Sequence, residues 1–321
     1  MIPRFEVSCE LFPTFNSLLP RVVLNTKSLQ KMKSVKLPLQ PLLALILFFL
    51  AFQGIAQEKY GGMTLYTVRD LMETQPRETL MKVADIGYKY IEATGYADGK
   101  FYGMEPAEFK SFLHSLGLEP ISSHYGAVTL DNADEFIADA KAAGIKYFVI
   151  PIPPMGHFTY DAPTQTMNMS DDVKAVTEIL NTIGKKCKEA GLELLYHNHD
   201  FEFKENENHI VPMDYFLQNT DPEYVNFQMD LFWTTKAGVD PVTYFERFPG
   251  RFKMWHVKDM DQQGRFAPVG TGTIDFARIL REKDLSGMQY YIVEQDRTFD
   301  GMDPLQAIRI SHVGIKEFGF Q

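Results

Sequence analysis

One alternation dominates the chain from residue 57 onward. Short β-prone runs begin near Met63 (MTLYTV), Tyr88 (YKYIEA), Glu119 (EPISSH), Lys146 (KYFVIPI), Leu192 (LELLYHNH), Val225 (VNFQMD), Phe252 (FKMWHVK) and Gln289 (QYYIVE). Successive starts are 25 to 46 residues apart, and each interval holds one amphipathic helical stretch. That is the length of a βα unit. The stretches Glu78 to Gly87, Pro106 to Gly117, Asp134 to Gly144 and Asp171 to Gly191 each close on glycine. Glycine enters the left-handed cap without a Cβ clash, so this is how a helix hands over to the next strand. Eight such units in about 250 residues predict an α/β fold, a single-domain (β/α)8 TIM barrel. A doubly wound open sheet is the alternative. It calls for a glycine-rich phosphate turn after the first strand, where this chain has Tyr66-Thr67-Val68-Arg69-Asp70.

Residues 1–56 read as an N-terminal extension and signal peptide, and 57–321 as the barrel. Lys31, Lys33 and Lys36 precede an apolar stretch from Leu37 to Phe52, and Gly54 and Ala56 stand at the −3 and −1 positions of a cleavage site. The uninterrupted apolar run Leu42–Phe52 is too short for a span of roughly 30 Å of hydrocarbon. The expectation is therefore export, to a bacterial periplasm, with no membrane attachment after cleavage. Cleavage also removes Cys9 and leaves Cys187 alone, which excludes an intrachain disulfide and a cysteine-based metal site. Six of the 32 Lys/Arg and two of the 42 Asp/Glu lie in the leader, so the remainder carries 26 positive against 40 negative side chains. A nucleic-acid partner, which needs an electropositive face, is not expected. A homo-oligomer is compatible with the sequence.

In a (β/α)8 barrel the chemistry sits at the C-terminal strand ends. Those ends carry Glu92 (strand 2), His124 (strand 3), His197 and His199 (strand 5), Asp230 (strand 6), His256, Lys258 and Asp259 (strand 7) and Glu294 (strand 8). Side chains two apart share a face of a strand, as His197 and His199 do, and His256 and Lys258. A His, an Asp, a His and a Glu from neighbouring strands converge on one point. Ligands of nitrogen and carboxylate oxygen without sulfur suit one divalent ion, Mn²⁺, Mg²⁺, Co²⁺ or Zn²⁺. Each residue also has a structural reading, such as a hydrogen-bonded strand-end histidine, a cap at Asp230, or a Lys258–Asp259 surface pair. Together they favour a site, because burying several ionisable groups is costly unless they are paired or metal-bound. Tyr66 and Trp233 are expected against a ligand. The turn Val269–Asp275 (VGTGTID) could hold a phosphate at a helix N-terminus, but reads better as a glycine turn with Thr273 as N-cap. His114, His157, His209 and His312 read as ordinary.

The motifs LYTVRD, YHNHDFEF, MDLFWTTKAG, WHVKD, VGTGTIDF and VEQD, taken together, resemble the xylose isomerase-like (β/α)8 superfamily of sugar isomerases and epimerases. The resemblance covers essentially all of the chain after the leader. It implies a small-molecule sugar substrate and one divalent metal, held by a strand-5 carboxylate, a strand-6 Asp, a strand-7 His and a strand-8 Glu. The last three match Asp230, His256 and Glu294, whereas the strand-5 position holds His197, with His199 two residues on. Epimerases of the family use two metal-bound Glu residues as an acid/base pair, and this chain has one of them. Relatives with a similar strand 5 include inosose dehydratase-like and 3-oxo-glycoside-cleaving proteins. The expected activity is isomerisation or epimerisation by proton abstraction beside a carbonyl, through a metal-bound enediolate, on an unphosphorylated sugar or keto-sugar. Glu294, His197, His199 and Lys258 are the catalytic candidates; His197, Asp230, His256 and Glu294 the metal ligands; and Tyr66, Glu92, His124, Trp233 and Lys258 the substrate contacts. The alternatives are a dehydratase or lyase on the same site, and a non-catalytic sugar-binding protein.

Overall fold

A computed structural model describes residues 59–320 apart from 155, 163–165, 170 and 171. The leader expected in residues 1–56 lies outside the described residues. Eight parallel strands close into a barrel: β1 (Gly62–Thr64), β2 (Tyr90–Ala93), β3 (Glu119–His124), β4 (Tyr147–Ile150), β5 (Glu193–His197), β6 (Val225–Asp230), β7 (Phe252–Val257) and β8 (Tyr290–Val293). Each pairs with the next in sequence, and β8 pairs with β1. Helices follow the strands in turn: α1 (Pro76–Ile86), α2 (Pro106–Ser115), α3 (Ala133–Ala142), α4 (Val173–Ala190), α5 (Pro212–Asn219), α6 (Pro241–Arg247), α7 (Phe276–Leu280) and α8 (Pro304–Glu317). The described residues form a single-domain TIM barrel. None of the helices among the described residues is long and apolar enough to cross a membrane.

The local reasons are visible in α4. Val173, Val176, Leu180, Ile183 and Cys187 recur at helical spacing and are buried, which is the stripe a helix turns toward a sheet. Asp172 caps the N-terminus by accepting from the Ala175 amide at 3.0 Å, and Gly191 ends the helix at φ 87°. Gly184 sits where the helix meets the start of β6; a Cβ there would lie 2.5 Å from the Tyr224 carbonyl oxygen.

The period of two sorts the strand side chains into two populations. Phe148, Leu194, Tyr196, Phe227, Met229, Trp255, Val257, Tyr291 and Val293 join the large core beneath the helices. Their sequence neighbours Val149, Leu195, Met254 and Ile292 form a separate small cluster with Ile121 and Tyr147, which fills the barrel's interior. The same alternation turns His197, Gln228, Asp230 and His256 inward. Register aligns them: His197 lies beside Gln228, Asp230 beside His256, and Glu92 beside Ser122.

The sequence reading and the structure differ in three places. The run MTLYTV is strand only through Thr64; Leu65–Val68 turn into a 3-10 helix, with the Thr64 side chain accepting from the Tyr66 amide. Three two-stranded ribbons decorate the mouth, at residues 96–101, 158–169 and 259–267. Finally, the N-cap of α7 is Asp275, which accepts from the Arg278 amide at 2.9 Å, and not Thr273, whose hydroxyl donates to the Met260 carbonyl.

Candidate active site and metal centre

His256 is the pivot of the site. Fully buried near the end of β7, it lies with Nε2 2.7 Å from Glu92 Oε1 and Nδ1 2.8 Å from Glu294 Oε2. Asp230 Oδ2, at the end of β6, is 3.8 Å from the same Nδ1. The ligand atoms of Asp230, His256 and Glu294 all lie within 4.8 Å of one another. His124, His197 and His256 form a second such group. The four expected ligands thus fall into two overlapping sets that share His256, and His197 stands with the histidines.

The lower set is held from beneath. Glu92 Oε1 also faces His124 Nε2 at 3.0 Å, and Oε2 accepts from Gln228 Nε2 at 2.7 Å and Ser122 Oγ at 2.8 Å. Gln228 Oε1 is 2.9 Å from His197 Nδ1 and 3.1 Å from His124 Nε2. Glu92 is fully buried with both oxygens engaged by side chains beneath the site, and it does not line the cavity above. Burial pushes its carboxyl up, but His124 and His256 outweigh that and hold it well below the usual range.

Above His256, Lys258 Nζ gathers three carboxylates: Glu294 Oε2 at 2.7 Å, Asp230 Oδ2 at 2.9 Å and Asp296 Oδ1 at 2.5 Å. Burial works against the lysine's charge, yet Asp230, Asp296 and Glu294 keep it well above its usual value. Burial also raises Asp230, and it raises Asp296 to about 6, against the pull of Lys258. Glu294 remains well below the usual range because Lys258 and His256 overcome its burial. His256 is held at about 10, its burial overcome by Glu92 and Glu294. Desolvation lowers His197 strongly and His199 to about 3, so both are neutral near pH 7. The Lys258–Asp259 surface pair is absent; both residues are buried.

The residues fit a divalent cation. Asp230 Oδ2 is buried and lies within ion-pair distance of Lys258 without the alignment of a hydrogen bond. With His256 Nε2 committed to Glu92, its Nδ1 faces the two carboxylates, the arrangement in which a carboxylate orients a metal-binding histidine. The lysine ammonium marks the same oxygens as cation-seeking.

Above this floor lies a cavity of about 330 Å³, lined by Tyr66, His124, His197, His199, Lys258 and Glu294 among others. Tyr66 is 39% exposed and lies 4.4 Å from the Arg69 guanidinium. Trp233 does not line this cavity; it lines a neighbouring one. Asp230 and His256 are fully buried. Sequence reasoning missed Gln228 and Asp296. Both had the same signal: each is polar and two residues from a candidate, Asp230 or Glu294, on the same inward face.

The possible phosphate turn is already satisfied. Asp259 Oδ2 accepts from the Gly270 and Gly272 amides at 3.0 and 2.9 Å, and Oδ1 from Ile274 at 3.2 Å. A Cβ at Gly272 would stand 2.3 Å from Asp259 Oδ1, so the turn is shaped around that carboxylate.

Residues 80–310 match the family described as xylose isomerase-like TIM barrel. The chain belongs to this family. Among solved structures, this xylose isomerase-like barrel is similar to a sugar phosphate isomerase/epimerase from Parabacteroides distasonis, with 28% identity and a TM-score of 0.69, covering 84% of this chain and 97% of that one. It is 26% identical over 249 residues to an inosose dehydratase from Lacticaseibacillus casei, covering 65% of this chain and 79% of the relative. A xylose isomerase-like TIM barrel protein from Mycobacterium smegmatis, in complex with magnesium, shares the fold at 15% identity and a TM-score of 0.57, over 77% of this chain and 90% of that one. The chain is a sugar enzyme of the isomerase, epimerase and dehydratase superfamily, with a candidate His/Asp/Glu metal site.

Behind β5, Glu202 is fully buried. Its Oε1 accepts from Tyr196 Oη at 2.7 Å and its Oε2 from the His199 amide at 2.8 Å. Burial raises its carboxyl from 4.5 to about 8. A raised carboxyl holds its proton in the folded state, so the stability it contributes is present below the unfolded value and is lost as pH rises through the folded one. The contribution of Glu202 to stability is therefore expected to fall between pH 4.5 and 8. Glu202→Gln keeps the shape and removes the titration. Its melting temperature should match wild type near pH 5 and exceed it by on the order of 5 °C above pH 8. Parallel melting curves across that range would refute the assignment.

Proposed function

We propose that the protein is a divalent-metal-dependent isomerase or epimerase that removes and returns a proton at the carbon beside a carbonyl of an unphosphorylated sugar or keto-sugar. The observation that carries this is the convergence of Asp230, His256 Nδ1 and Glu294 beside Lys258, below a cavity near the lower end of the roughly 300–1,000 Å³ range of small-molecule sites. Asp230, His256 and Glu294 would hold the ion, with His197 at the strand-5 position. A bound divalent ion supplies Lewis acidity at the substrate carbonyl.

The chain's own groups divide the remaining work. Glu294, ionised and at the cavity wall, accepts the proton. His199 is neutral because burial lowers it to about 3, which makes it a weak base near pH 7, so it stands beside Glu294 as a hydrogen-bonding group and not as the proton acceptor. Lys258 holds a substrate oxygen with its ammonium, and Asp296 keeps that ammonium charged and in place. The self-satisfied turn at Asp259 supports an unphosphorylated substrate, since a carboxylate already occupies the amides a phosphate would need. Export, expected from the leader, supports the same choice.

The test is proton exchange. Purified metal-loaded protein in D₂O should exchange the hydrogen beside the carbonyl of its sugar, and Glu294→Gln should slow this by about 10²–10⁴-fold, the span of general acid–base catalysis. No exchange from any keto-sugar would leave a sugar-binding protein. Elimination is the second reading. It is favoured by the replacement of the strand-5 carboxylate with His197, which makes the two proton-transfer groups unequal, and by the similarity to an inosose dehydratase. A product 18 mass units lighter than its substrate would decide for it.

A further inference from the structure

The motif YHNHDFEF sets an asparagine between two histidines. His197 and His199 line the cavity over the metal centre, and Asn198 does not. The period of two turns it the other way. Asn198 is fully buried, and its carboxamide reaches from the end of β5 to the end of β6. Oδ1 accepts from the Asp230 amide at 3.1 Å, while Nδ2 donates to Thr234 Oγ1 at 3.3 Å and to the His199 carbonyl at 3.2 Å. A backbone N–H only donates, so the Asp230 amide fixes which end of the carboxamide faces β6. The backbone ladder between the two strands stops at the His197–Gln228 pair, two residues short of Asp230. The Asn198 side chain takes over where it ends.

Thr234, also fully buried, donates its hydroxyl to the Asp230 carbonyl at 2.7 Å. The bonds thus close around one residue. The Asp230 amide is held by Asn198, its carbonyl by Thr234, and its Oδ1 by the Trp233 amide at 2.8 Å. Asn198 and Thr234 are bonded to each other, which couples the two holds. Three of the four polar atoms of Asp230 are committed in this way. The fourth, Oδ2, is buried and faces Lys258 Nζ at 2.9 Å and His256 Nδ1 at 3.8 Å.

We infer that Asn198, together with Thr234, is a positioning residue for the metal centre: the pair clamps the Asp230 peptide from both sides and presents Oδ2 as the single oxygen that Asp230 offers a divalent ion. This rests on the reading of Asp230 as a metal ligand and goes beyond it in assigning what holds that ligand. The clamp is complete without the ion, so the cost of ordering Asp230 is met in folding and not in metal binding.

The test is metal affinity, read without turnover. Zn²⁺ and Mn²⁺ are titrated separately against a competing chelator into wild type, Asn198→Ala, Thr234→Val and the double variant, well below the melting temperature of each apo-protein. Thr234→Val keeps the branched shape, and Asn198 Nδ2 retains the His199 carbonyl, so no buried donor loses its last partner. That variant carries the test where Asn198→Ala does not fold. Groups that orient a ligand are typically worth about 10–100-fold in metal affinity, and each single variant should bind about 10-fold or more weakly. The double variant should lose less than the product of the two losses, because both act on one peptide. Wild-type affinity in the folded variants, with only the melting temperature of the apo-protein lowered, would make the pair structural and overturn the clamp. Losses that multiply in full would overturn it too. A wild type that binds neither ion defeats Asp230 as a ligand and the clamp with it. A wild type that binds, matched by its variants, defeats the clamp alone and leaves the proton-abstraction reading standing.

Discussion

Asp230→Ala is expected to yield a folded protein that no longer retains a divalent ion and turns over its sugar at least 100-fold more slowly. Asp230 is buried, and burial works against its charge, so losing the carboxylate removes a group whose ionised form the fold tolerates only because Lys258 and His256 stand beside it. The structural cost is small. Asp230 Oδ1 caps the short helix Leu231–Lys236 by accepting from the Trp233 amide at 2.8 Å, and such a cap is worth about 1 kcal/mol. Asp230→Asn keeps an oxygen for that cap and still places an amide beside Lys258, so it loses the metal without losing the helix. Lewis-acid stabilisation is worth several kcal/mol, and each 1.36 kcal/mol is ten-fold in rate. Metal analysis of both variants, with exchange measured on the same preparations, reads the two effects together. Full activity in a metal-free wild-type preparation would contradict the whole account of the centre.

The barrel is legible in the sequence because its two signals are independent. Unit length counts eight repeats, and the glycines at 87, 117, 144 and 191 end the helices for a steric reason that needs no tertiary context; all four have positive φ. The strand-end polar residues are legible because barrel topology alone brings them to one rim. What lies beneath the rim is harder to read. Glu92 looks like one more strand-end carboxylate, and only the register of β2 with β3, together with the reach of Gln228 across the barrel, places it under His256. Gln228 hides in VNFQMD because a glutamine in a half-apolar strand suggests solvent; the period of two from Asp230 turns it inward. The ribbon at 158–169 lies within the longest of the seven intervals between strand starts, 46 residues, which left room for an extra element without giving its form. The N-cap of α7 fell to Asp275 because Thr273 was drawn toward the Met260 carbonyl, a contact between segments that local sequence does not announce.

Glu92→Gln separates positioning from ligation. Glu92 accepts from four side chains: His256, His124, Gln228 and Ser122. A carboxamide accepts at one end and donates at the other. If its nitrogen faces the histidines, His256 loses its acceptor; if it faces Gln228 and Ser122, two donors meet in a dry interior. Ser122 can rotate its hydroxyl to accept, but Gln228 cannot reverse its amide without surrendering the oxygen that serves His124 and His197. One buried donor therefore goes unmet, at about 1–3 kcal/mol of folding stability. Loss of the negative charge also makes His256 Nδ1 a poorer ligand, and removing such an outer partner typically weakens metal binding about 10–100-fold. The expected variant is thus less stable, binds its ion 10–100-fold more weakly in competition with a chelator, and regains most of its turnover once the ion is supplied in excess. Glu294→Gln, by contrast, stays slow at any metal concentration, because it loses the proton acceptor. If Glu92→Gln were equally beyond rescue, Glu92 would touch the reacting atoms after all, and the floor of the site would have to be rebuilt around it.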